Sequence, residues 1–405
     1  MYKLATRPLI KSKIWQQIPL LKETFFCMLF SFIVLGIVLL IGLNLSFFSP
    51  FKNAFKDFSY LDLYYSERLN EDHFALNDDI ILVNIDRLNR KQIAEVIDAL
   101  KKSGPKVIGL DVIFKETEDP IWDNYLASKL DDESLIFAYS IVNKSEVYTD
   151  SSIHTINNNK GYANFNFDTD AVVIRDFQGV KKSDTKTLVS FPVMVAKKYK
   201  GNNWFIEKES YFEKERPINY SGKREEFLIL ESKDIIGERL IPFIQDKIVL
   251  VGYLGNEMTY TFDIEDKHYT PMNAKFVGKS PPDAFGLVIH ANIVQMLISN
   301  TYIQVVPNWV LTILTVMLTF ISLAYFIYIS KKMLASYVLR LNLVQLMFAT
   351  LFIWISLLFF KKGILFKITS ITAVVVFSMG LIGYYKKLAH YLFKRFKWEG
   401  FFYHN

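Results

Sequence analysis

The sequence has 405 residues, 51% of them apolar and 16% aromatic, with 47 Lys and Arg against 41 Asp and Glu for a formal net charge of +6. That apolar fraction excludes a disordered chain, and the single cysteine, Cys27, excludes an intramolecular disulfide framework. The excess positive charge flanks apolar stretches without any basic-aromatic recognition motif, so it argues for contact with the lipid bilayer and against nucleic acid.

Residues 1–23 form an N-terminal segment carrying Lys3, Arg7, Lys11, Lys13 and Lys22. Residues 24–51 then contain no charge, enough for a helix to cross roughly 30 Å of hydrocarbon at about 1.5 Å per residue. This stretch begins too far from Met1, and ends in too bulky a sequence, for a cleaved signal peptide, so it is expected to stay as an anchor.

Residues 52–308 have the size and pattern of one α/β domain. The near-continuous apolar run 79–85 predicts a strand buried on both faces. Asn89 is a candidate N-cap for a helix with Ile93, Val96, Ile97 and Leu100 on one face, closed by Ser103, Gly104 and Pro105. A second strand at 106–111 would complete a βαβ unit, with further strands at 135–140 and 247–252 in a mainly parallel or mixed central sheet. Residues 161–175 and 216–230 alternate polar and apolar side chains, as antiparallel or edge additions do, and 285–299 predicts an amphipathic helix.

Three more uncharged stretches, 309–330, 341–360 and 368–385, predict transmembrane helices two to four, followed by a tail at 386–405. Basic residues next to short loops are retained in the cytoplasm. Thirteen of them lie before the first span, between the second and third, and after the fourth; only Lys361, Lys362 and Lys367 lie on the opposite side. Both termini are therefore expected inside and residues 52–308 outside.

Several segments together resemble the CHASE2 family of extracytoplasmic sensory domains. They are the run from Asp78 to Asp86, the run from Val107 to Phe114, Gly161-Tyr-Ala-Asn164 with Asp168 and Asp170, the run from Lys247 to Gly252, Asp263 with Thr270-Pro271, and His290-Ala-Asn292. The sequence departs from the family pattern at Asp170-Ala171, where Asp-Gly is usual, and in the long charged loop before Thr270. The resemblance implies a multi-pass protein of the bacterial cytoplasmic (inner) membrane whose large domain faces the periplasm or cell exterior. It also implies a sensor, although only about 20 residues follow Tyr385, too few for an output domain. The expected partners are thus a small ligand or envelope protein outside the membrane and a separate signalling or scaffold protein, in an assembly that self-association could enlarge. A structural or scaffolding subunit of an envelope complex is the alternative.

Asp86 and Asp111 each end a predicted strand, at the sheet edge where open α/β folds bind ligands. They could bind a cation or amine, act as acid and base, or merely cap a turn. Asp263, Glu265, Asp266, His268 and Thr270 crowd one loop, but their spacing matches no metal-ligand pattern. His290 sits in an apolar helix, where a neutral imidazole bonded to a nearby loop would serve structure. Beside Asn292, it would pin the loop of Thr270. No phosphate-binding glycine loop, nucleophile elbow or zinc motif is present, so neither a catalytic residue, a metal nor a cofactor is assigned, and the chain is not expected to be an enzyme.

Overall fold

The chain divides into two units, Lys52–Ile303 and Met1–Phe51 together with Gln304–Asn405. The computed structural model describes residues 11–44, 62, 64–66, 77–114, 116–142, 145–147, 159–165, 172–182, 186–237, 240–256, 258–273, 280–330, 337–397 and 400–403.

The first helix, α1 (Lys11–Asn44), starts well before the uncharged stretch that predicts it, and its candidate membrane span is Pro19–Ile41. That span takes in Glu23, which is buried and accepts a 2.9 Å hydrogen bond from the Phe401 backbone N–H. A carboxylate whose partner is supplied by the fold no longer ends an apolar segment.

In the second unit the chain runs β1 (Asn77–Asn84), α2 (Arg90–Lys102), β2 (Val107–Leu110), α3 (Pro120–Leu130), β3 (Leu135–Val142), β4 (Ser145–Val147) and β5 (Lys160–Tyr162). It continues through α4 (Phe191–Lys200), α5 (Asn202–Phe212), β6 (Phe227–Glu231), β7 (Ile248–Gly252) and α6 (Gly286–Ile298). Six strands are parallel in the order β6-β1-β7-β2-β3-β5, and β4 folds back antiparallel on β3. β1 and β2 are therefore not neighbours, as a simple βαβ unit would have them, because β7 pairs with both.

The central strands read as unbroken apolar runs because each face is covered. Ile81, Val83, Ile108, Leu110, Val249 and Val251 pack with α2 and α3, while Ile80, Leu82, Val107, Ile248 and Leu250 pack with α4 and α6. Each such side chain contributes about 1.5–3 kcal/mol through burial. The N-cap of α2 is Asn89, in a reciprocal capping box with Gln92, and Gly104 leaves the helix at φ +70°.

Two expectations are corrected here. β5 and β6 are edge strands as expected but parallel ones, and the antiparallel pair described joins Asp176–Phe177, just past the first alternating segment, to Arg216–Pro217 in the second. α6 is not amphipathic: every residue from Gly286 to Val294 is buried, because α4 and the turn at Ser221 and Gly222 pack on it as well as the sheet. Helices α3, α4 and α5 had no counterpart in the sequence reading, since α3 even exposes Ile121 and carries its signal only in the Asp119 cap and Pro120.

In the first unit, α7 (Asn308–Ser330) and α8 (Tyr337–Lys361) are, with α1, the three described helices long and apolar enough to cross a membrane. The expected fourth span is two helices, α9 (Ile368–Gly380) and α10 (Ile382–Phe396), bent by 45° at their junction. Gly380 and Gly383 flank the bend, as glycines at helix kinks do.

Candidate functional site

The carboxyl ends of β1, β2 and β3 open onto a pocket of roughly 900 Å³. Its shape begins with Asn84, the fully buried last residue of β1. The Asn84 side-chain oxygen accepts from the backbone N–H groups of Asp86 and Leu254, both at 3.0 Å, and its amide donates to the Gly255 carbonyl at 2.7 Å and to Glu231 at 2.8 Å. One side chain thus ties together the chain leaving β1, β6 and β7. Asp86 follows at φ +42°, a left-handed conformation that costs a non-glycine residue about 1 kcal/mol and tends to persist at functional sites.

Neither Asp86 nor Asp111 is a helix cap. The cap of α2 is Asn89, and the Asp86 carboxylate meets only the Asn256 amide, at 3.4 Å. The Asp111 backbone N–H donates to the Val251 carbonyl at 2.8 Å, which fixes it at the edge of β2, while its carboxylate accepts no hydrogen bond from any described residue. That carboxylate lies 3.8 Å from Nε2 of His290. Burial, with the negative charge of Asp266 adding to it, pushes the Asp111 carboxyl up to about 7.

His290 enters from the first turns of α6. Gly286, at the start of that helix, lets Asp266 come close to it: a Cβ there would sit 3.1 Å from an Asp266 carboxylate oxygen. The imidazole is 2% exposed and packs against Phe165, with ring centroids 4.4 Å apart, and against Phe191 at 5.1 Å. Its Nδ1 has no hydrogen-bond partner, contrary to the expected bond to a loop. Burial, helped by nearby His268, pushes its pKa down to about 3, so the ring is neutral at physiological pH.

Arg90, the first residue of α2, lines the same pocket and is 4% exposed. Its terminal nitrogens donate to Asp123 of α3 and to the Glu116 carbonyl, and Glu118 stands 3.4 Å from Nε. Sequence reasoning missed Asn84, Arg90, Asp123 and Phe165. A charged residue at the start of a helix, facing a buried side, was the one available signal for Arg90.

Of the other sequence candidates, Glu265, Asp266 and His268 line the same pocket, while Asp263, Thr270 and Asn292 lie elsewhere. Asp263 accepts from the Tyr253 hydroxyl and from the Glu265 N–H at 2.9 Å, contacts that hold its carboxyl below the usual range and anchor its loop. Thr270 is taken up by Asp283, to which it donates both its backbone N–H, at 2.9 Å, and its hydroxyl. This latch closes the antiparallel pair Lys267–His268 with Ala284–Phe285. Asn292 does not pin the Thr270 loop: its side chain accepts from Ser221 and Gly222 and donates to the carbonyls of Gly222 and Val288. Asp168 and Asp170 lie outside the described residues. Among the described residues no three His, Cys, Asp or Glu side chains are placed to hold a metal ion.

Residues 33–324 match the CHASE2 domain family model. The chain belongs to the CHASE2 family. This is a family of extracellular sensory domains. No curated protein and no solved structure matches the chain. The CHASE2 match begins inside the first apolar helix and ends inside the second, wider than the stretch from Asp78 to Asn292 that carries the motifs.

Proposed function

We propose that this CHASE2 protein is a non-enzymatic sensor of the bacterial cytoplasmic membrane, in which a small molecule enters the edge pocket from outside and a separate partner reads its occupancy. The observation that carries this reading is the pocket itself. It places two strongly perturbed groups, Asp111 and His290, in a roughly 900 Å³ concavity at a sheet edge. Perturbed groups in such a concavity are the usual mark of a ligand site. No nucleophile is paired with a base there, which favours binding over chemistry.

Pocket occupancy is testable on the purified full-length protein in detergent. A small-molecule extract of culture medium should raise its melting temperature, because a ligand of the native state stabilises it by mass action. Ala163→Trp, which fills the pocket from its wall, should abolish the rise. An equal rise in the variant, or none in the parent protein, contradicts the reading.

The basic flanks support an orientation with both termini in the cytoplasm and α9 with α10 as one bent fourth span. Alkaline-phosphatase fusions should be active at Ser151 and inactive at Asn405. The reverse pattern would refute this topology.

A further inference from the structure

We propose that the pocket selects a small organic cation, an amine or amidine carried on an apolar body. This rests on the ligand-sensor reading and adds the chemical class. Five carboxylates line the cavity: Asp86, Asp111, Glu118, Glu265 and Asp266. Among the described residues the sole guanidinium or ammonium on its wall is Arg90, and its charge is already met by buried Asp123, the Glu116 carbonyl and Glu118. Glu265 has an exposed partner in Arg87 at 2.9 Å, so among the described residues Asp86, Asp111 and Asp266 have no lysine or arginine partner. An anionic ligand would be desolvated among like charges with no uncommitted cation among the described residues to receive it.

The second observation is His290. Its ring is 2% exposed and lines the cavity, and its Nδ1 lacks a partner. With Nε2–H turned toward Asp111, 3.8 Å away, Nδ1 is a bare acceptor, and a buried acceptor left unmet calls for a donor. A ligand N–H supplies such a donor, and a ligand cation beside Asp111 answers its unpaired charge. The carboxylates are too dispersed to close around one metal ion, since no described group of three converges. A charge spread over an organic cation suits them better. The remaining wall supplies its apolar side through Phe165, Leu88, Ile93, Ile113, Val172 and Ile174. Aromatic and aliphatic walls with a few placed charges are how small-molecule sites orient an amphipathic ligand.

The test uses full-length protein in detergent and two probes with similar apolar bodies and opposite charges, 2-phenylethylamine and 3-phenylpropanoate. The amine should bind and raise the melting temperature, and the carboxylate should not. Asp111→Asn should weaken the amine by about tenfold or more, the scale of one lost charge contact. Asp266→Asn, further along the wall, should weaken it less and serves as the second variant if the first fails to fold. Carboxylate binding as tight as amine binding, no amine binding, or unchanged amine affinity in both variants would overturn the inference. If the medium extract still shifts the parent protein and not Ala163→Trp, the sensor reading survives that failure. If the extract shifts neither, the sensor reading itself has failed.

Discussion

His290 and Asn292 lie two residues apart on α6, are 2% and 0% exposed, and answer to opposite demands. The Asn292 amide is fully engaged, holding the turn at Ser221 and Gly222 against the helix through accepted bonds of 2.7 and 3.0 Å and a donated one of 2.7 Å. His290 is just as buried but leaves Nδ1 without a partner and faces a carboxylate that is itself unbonded. Burial alone therefore does not separate structure from site in this protein. Between these two residues the difference is whether the buried polar atom is satisfied, because an unmet buried group costs about 1–3 kcal/mol that a ligand or an ordered water can return.

The sharpest contrast within the pocket wall is Arg90 with Asp123, which belongs with Asn292 although it borders the cavity. Asp123→Ala would strand a buried guanidinium, and urea unfolding of the full chain should show a loss of about 3–5 kcal/mol. A loss below about 1 kcal/mol would mean that the pair is not buried as described. Asn292→Ala removes a partner from two buried N–H groups and two carbonyls and should cost about 2–4 kcal/mol by the same measurement. His290→Gln, by comparison, should stay within about 1 kcal/mol of the parent, since it deletes no hydrogen bond among described residues. A larger loss there would erase the distinction between the two residues.

The fold was largely legible because strands buried on both faces write themselves as apolar runs, as at 79–85 and 247–252. Their order was not, because β7 enters between β1 and β2 and nothing local to its sequence says so. Asp86 and Asp111 could be placed at the sheet edge from the strand ends alone. The partnership of Asp111 with His290 could not, since it depends on where α6 is laid against the sheet. Arg90 and Asp123 are 33 residues apart on different helices, and α3 gave no periodicity to reveal the second of them. Asn292 misled for a related reason: its neighbour in sequence faces the pocket, while its own partners come from the turn after Ile218.

An effect that depends on pH tests the central claim, that stability is given up at Asp111 for the sake of binding. The groups lining the pocket around it are Asp86 after β1, Arg90 at the start of α2, Glu118, the loop residues Glu265, Asp266 and His268, and His290. A carboxyl whose folded pKa is raised to about 7, against roughly 3.9 unfolded, contributes stability that is fully present below pH 4 and lost as pH rises through 7. His290, with its pKa pushed down, contributes stability in the opposite sense, lost as pH falls from about 6.5 toward 3, and does so in parent and variant alike. Asp111→Asn keeps the shape and removes the ionisation. Measured by urea unfolding without ligand, the variant should match the parent at pH 4 and exceed it by about 1–3 kcal/mol at pH 8, the two diverging between. A variant less stable than the parent at pH 8 would contradict the account, because Asp111 would then be a carboxylate that the fold itself satisfies.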